Sequence, residues 1–281
     1  MFELGDFEIH LLPSVAFRLD GGGMFGVVPK VIWDGSYPAD EKNRIAMNTN
    51  LMLVKAYGRN VLIDTGVGNK LNKKWQKIYG ITDVPSMDES LAPAGITSAD
   101  VDIVIFTHLH FDHAGGALTA QPDGSVIPTF PNARYVAQEK DYDYGSSGHI
   151  KAQATYVEEN FVPLKEMGLL DLIDGPTQLM PGIKALPTRG HTPAMNLVRV
   201  DSGGQSAWHL ADLMPLSGHV APLWVMSYDL FPYESLEAKL ELLPELHKED
   251  AILVFEHEPE PCAGRLEKHD RGFSLRKLES V

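Results

Sequence analysis

His108-Leu109-His110-Phe111-Asp112-His113 stands one residue beyond the largely apolar run Val101 to Phe106, so four metal-ligand side chains fall within six residues at the end of an expected buried strand. Three imidazoles and a carboxylate packed so closely cannot all enter an apolar core, because burying a polar atom without a partner costs kilocalories. A metal centre accounts for them most simply. Imidazole and carboxylate without thiolate suit zinc, and also iron, manganese or cobalt. Leu109 and Phe111 separate the polar positions, so a turning backbone can aim His108 and His110 at one point while Asp112 and His113 face a second. Two divalent metal ions are therefore expected.

Four residues do not complete two sites, and further ligands should follow other apolar strands. Three stretches qualify. Ile183 to Pro187 leads into Thr188-Arg189-Gly190-His191-Thr192-Pro193, where the glycine permits a sharp turn with His191 at its tip. Ala207 to Ala211 runs into Asp212, and Ala251 to Glu256 runs into His257. Asp64-Thr65-Gly66 closes the hairpin-like stretch from Leu51 to Ile63.

Taken in chain order from Asp64 to His257, these five motifs resemble the metallo-β-lactamase superfamily over nearly the whole chain. The resemblance implies an αββα sandwich of two mixed β-sheets with helices on the outer faces. It places His108, His110 and His191 on a first metal and Asp112, His113 and His257 on a second, with Asp212 bridging. Asp112 and Asp212 would be the catalytic carboxylates. Asp64 would support the ligands without binding metal, as a carboxylate that orients a ligating imidazole does. His10, His149, His209, His219, His247 and His269 are expected to be surface or packing histidines, His219 being the one of interest.

Composition narrows the function. A net charge of −14 over 281 residues, with an isoelectric point near 5.2, repels polyanions and disfavours nucleic acid and anionic membrane surfaces as partners. No apolar stretch approaches the length that spans a bilayer. Cys262 is the single cysteine, and no basic region followed by an apolar one marks the start, so a cytoplasmic location is expected. No repeat or long Gly/Ser linker interrupts the chain, and the motifs span both halves, so residues 1–281 are expected to form one domain.

Along the chain, Phe7 to Leu19 reads as extended, and the glycines of Gly21 to Gly26 argue against regular structure there. Leu51 to Tyr57 and Val61 to Ile63 read as a hairpin, Gly68 to Tyr79 as helix and Asp100 to Phe106 as strand. Residues 151–167 and 234–247 carry helical spacing, the latter through Leu236, Leu240, Leu243 and Leu246.

The expected chemistry is hydrolysis, because two bridged cations acidify water and polarise a carbonyl, and no Gly-x-Ser-x-Gly elbow is present. Met24 to Pro29 and Ala221 to Met226 resemble the quorum-quenching N-acyl-homoserine lactonase branch, and also its methyl parathion hydrolase neighbour. That likeness implies a small neutral ester or lactone substrate with an apolar tail, and a homodimer joined through the N-terminal loop. Met24, Phe25, His219, Trp224 and Tyr228 are the candidate substrate contacts. Lactonases of that branch carry a tyrosine soon after the bridging Asp; here Leu213-Met214-Pro215 follows, leaving His219 or Tyr228 for its role. The alternatives are a phosphotriesterase or arylesterase, a glyoxalase II-like thioesterase using the basic residues Arg265, Lys268, Arg271, Arg276 and Lys277, and a non-catalytic redox or scaffold protein.

Overall fold

Period-two alternation in the strands lets each sheet bury both of its faces. The structure, a computed structural model, describes residues 1–270 and 272–279; Arg271 of the basic tail lies outside them. In chain order the first strands are β1 (Phe2–Leu4), β2 (Phe7–Asp20), β3 (Arg44–Ala56), β4 (Arg59–Ile63) and β5 (Ile103–Ile105). A small hairpin, β6 (Leu118–Ala120) with β7 (Val126–Pro128), precedes β8 (Arg134–Gln138) and β9 (Leu170–Ile173). The second half supplies β10 (Thr177–Met180), β11 (Ile183–Thr188), β12 (Met195–Ser202), β13 (Gln205–His209), β14 (Ile252–Phe255), β15 (Cys262–His269) and β16 (Gly272–Lys277).

One seven-stranded sheet runs β1-β2-β3-β4-β5-β8-β9 and the other β10 through β16 in sequence order. Both are mixed: β4, β5, β8 and β9 are joined in parallel, as are β13 and β14, while the remaining neighbours are antiparallel. Met52, Val54, Val61, Ile63 and Ile105 of the first sheet meet Ile183, Val198, Val200, Ile252 and Val254 of the second in a core between them. The alternate residues face outward, Leu53, Leu62 and Val104 toward Leu91 and Leu164, and Leu253 and Phe255 toward Leu243 and Leu246 of the helix Pro232–Lys248. The layers are the expected αββα sandwich.

Several local expectations are corrected. Gly21–Phe25 forms a short helix, because the Asp20 carboxylate accepts the Gly23 N–H at 2.9 Å and caps it. The helix expected from Gly68 begins only at Lys73, where Asn72 caps it. The stretch 151–167 breaks into turns at Ala152–Ala154 and Glu158–Asn160 and a helix at Val162–Glu166, since Tyr156 leaves helical geometry to bridge with His110. In Pro232–Lys248 the buried face carries Ser235 and Lys239 beside Leu243 and Leu246, and Leu240 is exposed. Lys239 Nζ donates to the carbonyl oxygens of Ala221 and Trp224 at 3.1 and 2.7 Å.

Candidate metal centre

Every candidate ligand loop leaves the carboxyl end of a strand. Asp64 follows β4, the His108–His113 loop follows β5, His191 follows β11, Asp212 follows β13 and His257 follows β14. Because β4, β5, β13 and β14 are central in their sheets, these loops emerge side by side over the same edge of the sandwich. Close backbone packing holds them there: a Cβ on Gly115 would lie 2.0 Å from the Val67 carbonyl oxygen, so only glycine lets the short helix Phe111–Ala114 sit against the Asp64 loop.

The ligand atoms gather in two groups. His108 Nε2 lies 3.0 Å from His110 Nδ1, which lies 3.1 Å from His191 Nε2. His113 Nε2 lies 3.2 Å from His257 Nε2, and Asp112 oxygens stand 3.9 Å from both. Asp212 reaches each group with a different oxygen: Oδ2 is 3.2 Å from His191 Nε2, and Oδ1 is 3.2 Å from His257 Nε2 and 3.6 Å from His113 Nε2. His108, His110 and His191 form one buried set able to hold a metal ion, and Asp112, His113 and His257 another.

The hydrogen bonds to the outer ring nitrogens suit a cation between the rings. His113 Nδ1–H donates to Asp64 Oδ2 at 3.0 Å, His191 Nδ1–H to Asp229 Oδ1 at 2.9 Å and His257 Nδ1–H to the Asn48 carbonyl oxygen at 3.0 Å. The Thr107 hydroxyl donates to Asp64 Oδ2 at 2.6 Å, so His108 Nδ1–H donates to Thr107 Oγ1 at 3.0 Å. With those protons committed, the Nε2 atoms of these four rings turn lone pairs toward one another, an arrangement that a cation reconciles. Asp212 Oδ1 is buried with no hydrogen-bond donor, as a metal-facing carboxylate oxygen should be. The residues fit two cations.

Electrostatics agree. Burial alone would raise the Asp212 carboxyl, but His257, His191 and His113 hold it well below the usual carboxylate range. Burial opposes a charged His257, yet Asp212 and Glu256 push its pKa up to about 9, so a proton on Nε2 takes the place that a cation would fill and must leave when one binds. His108 and His110 fall well below the usual imidazole range through burial and through neighbouring imidazoles.

Of the candidate substrate contacts, Met24 and Tyr228 line a cavity of about 330 Å³ that opens onto His110, Asp112, His191, Asp212 and His257. Leu19, Met47, Phe111, Met226 and Leu230 complete a largely apolar wall. Phe25, His219 and Trp224 stand behind it. Phe25 stacks on His219 with centroids 5.4 Å apart and meets the Trp224 ring edge-on at 5.3 Å. His219 donates to the Met24 carbonyl oxygen at 2.9 Å, so these three brace the cavity without facing it.

Several polar residues at the site escaped the sequence reading. Asp229 orients His191, yet follows no strand that would mark it. Glu256 is fully buried with an oxygen 3.1 Å from His113 Nδ1, and burial pushes its pKa up to about 8. His209, expected as a packing histidine, lies 3.5 Å from Glu256 and is fully buried. A glutamate ending the apolar strand Ile252–Phe255 was the available signal.

The family model that matches this chain is that of the metallo-beta-lactamase superfamily, over residues 44–257. The chain belongs to the metallo-beta-lactamase superfamily. Among solved structures it is similar to "a probable metal-dependent hydrolase from Staphylococcus aureus", with 31% identity, a TM-score of 0.89 and all of both chains covered. It also shares the fold of AidC, a dizinc quorum-quenching lactonase solved in complex with its product, at 20% identity and a TM-score of 0.81 over 100% of this chain and 97% of that one. Among curated proteins, an N-acyl homoserine lactonase from Bacillus sp is 25% identical over 152 residues, 50% of this chain and 54% of that protein. The metallo-hydrolase mfmC of Annulohypoxylon moriforme is 28% identical over 184 residues, 53% of this chain and 48% of that protein. This superfamily member therefore spans about half the length of these curated relatives. Among its described residues, no helix is long and apolar enough to cross a membrane.

Proposed function

We propose that the protein hydrolyses small neutral esters with the help of two divalent cations, zinc foremost, and that N-acyl-homoserine lactones are its substrates. The observation that carries this reading is the meeting of the two ligand groups with the apolar cavity, which Asp112 and Asp212 line together with Met24, Met47 and Met226. Methionine and aromatic walls deform around an acyl chain, and a volume near 330 Å³ falls at the small end of ligand pockets.

His108, His110 and His191 would hold one cation and Asp112, His113 and His257 the other, and Asp212, with one oxygen beside each group of side chains, could serve both. Bound there, the pair would supply Lewis acidity, acidifying water and polarising the ester carbonyl. The chain's own groups do the rest. Burial pushes the Tyr228 phenol up to about 12, so at neutral pH it is an O–H donor able to orient a substrate carbonyl from the cavity wall. Asp112, in that wall, is the carboxylate that can take the proton the attacking water loses and pass it to the leaving oxygen, while Asp212 stays ionised between the two groups. The wall of aliphatic and aromatic side chains limits competing water.

The lactonase relatives support the substrate class. The single cysteine, buried and free, suits a reducing cytoplasm. The test is a substrate panel on metal-loaded protein: lactones of several acyl lengths, aryl esters, a phosphotriester and S-lactoylglutathione. The lactones should have the highest kcat/KM. A ranking led by the phosphotriester or the thioester would replace the lactonase reading with that activity, and two bound cations with no turnover of any ester would favour a scaffold.

A further inference from the structure

We infer that Asp141 and Tyr156 are positioning residues that set the first of the two cation sites, the one formed by His108, His110 and His191. This rests on the two-cation reading above.

Asp141 lies in the helix Glu139–Gly145, outside every motif that marks the ligands, and is 1% exposed. One carboxylate oxygen accepts the Leu109 N–H at 2.9 Å, and the other accepts the Tyr156 hydroxyl at 2.7 Å. Leu109 sits between His108 and His110, so holding its N–H fixes the peptide from which both imidazoles project toward the same point. One side chain thus holds the loop that carries two of the three candidate ligands.

Tyr156 acts on the ring itself. Its side chain meets His110 edge-on, with centroids 4.5 Å apart and planes at 75°. The two residues are bridged through their backbones, and the Phe111 N–H donates to the Thr155 carbonyl oxygen at 3.0 Å. The slot for the ring exists because residue 145 is glycine: a Cβ there would lie 2.4 Å from Tyr156 Cδ1. Tyr156 also lines the cavity, so the same phenol ring joins the cavity wall to His110. The second group is held differently, His113 by Asp64 and His257 by the Asn48 carbonyl.

The dependence should therefore be confined to one site. Asp141→Ala removes the carboxylate, Asp141→Asn keeps its shape, Tyr156→Phe deletes only the hydroxyl, and Gly145→Ala pushes the ring without altering a polar group. For each variant the two metal dissociation constants are measured by chelator competition, and the visible spectrum of the Co(II)-loaded protein is recorded. His191→Ala marks which constant and which band belong to the first site. The marked constant should weaken about 10–100-fold in Asp141→Ala and Gly145→Ala, the loss usual for outer partners of a ligating imidazole. A smaller loss is expected in Tyr156→Phe and partial rescue in Asp141→Asn, with the second constant as in wild type in every variant. The inference is overturned if both constants stay at wild-type values, or if both fall equally along with metal-free stability. A wild type that turns over no ester but shows the selective loss would contradict the hydrolase reading alone.

Discussion

Asp229 shows how much of the centre is decided one residue beyond the ligands. Its Oδ1 accepts the His191 Nδ1–H at 2.9 Å in a nearly water-free setting, which keeps the proton off Nε2 and the ring in register with His108 and His110. Asp229→Asn preserves size but presents a poorer acceptor and removes a buried charge. We expect it to weaken one of the two metal constants about 10–100-fold and leave the other unchanged, as chelator competition would read. An equal loss of both would mean that Asp229 serves the fold rather than His191. The candidate ligands stood out in the sequence because each lies at or just beyond the end of an apolar run, four of them clustered within six residues. Asp229, Asp141 and Tyr156 did not, because nothing local signals a contact made only in three dimensions: the Tyr156 to Asp141, Leu109 to Asp141 and His191 to Asp229 separations are 15, 32 and 38.

At the scale of elements, the helix Pro232–Lys248 shows where periodicity misleads. Leucine spacing predicts Leu240 on the buried face, but the structure gives that face to Lys239, whose ammonium caps the carbonyls of the 221–224 turn behind the cavity. Amphipathic side chains bury their stems readily, so a pattern written in apolar letters passes over such a lysine. Burial lowers the Lys239 pKa from 10.5 to about 7. Between those values the unfolded chain holds the proton and the folded chain does not. Stability from this group therefore rises with pH from about 7 toward 10.5, and the full burial cost applies below about 7. In metal-loaded protein, wild type should gain melting temperature from pH 6.5 to 9 relative to Lys239→Met. Parallel pH profiles for the two would show that Lys239 does not titrate in that window. The glycine-rich Gly21–Gly26 stretch erred in the opposite direction: the Asp20 cap supplies an acceptor that outweighs the low helix propensity of glycine.

Across the whole molecule, the two sheets present their central strand ends at one edge, and seven candidate ligands drawn from four motifs far apart in sequence converge there. The sandwich was legible because strand-ending motifs recur in both halves. The layered core of Met52, Val54, Val198 and Val254 follows from their alternation. The cavity was less so, since whether Met24 or Phe25 faces substrate depends on the path of a short helix that glycine content concealed. A net charge of −14 further favours uptake of cations by a site already rich in carboxylate.

The most direct measurement is metal content per chain. Protein loaded with zinc, freed of excess by dialysis and assayed by elemental analysis should hold two ions per chain in wild type and about one in His257→Ala. One ion or none in folded wild-type protein would contradict the two-cation centre, and with it the mechanism built on Asp212.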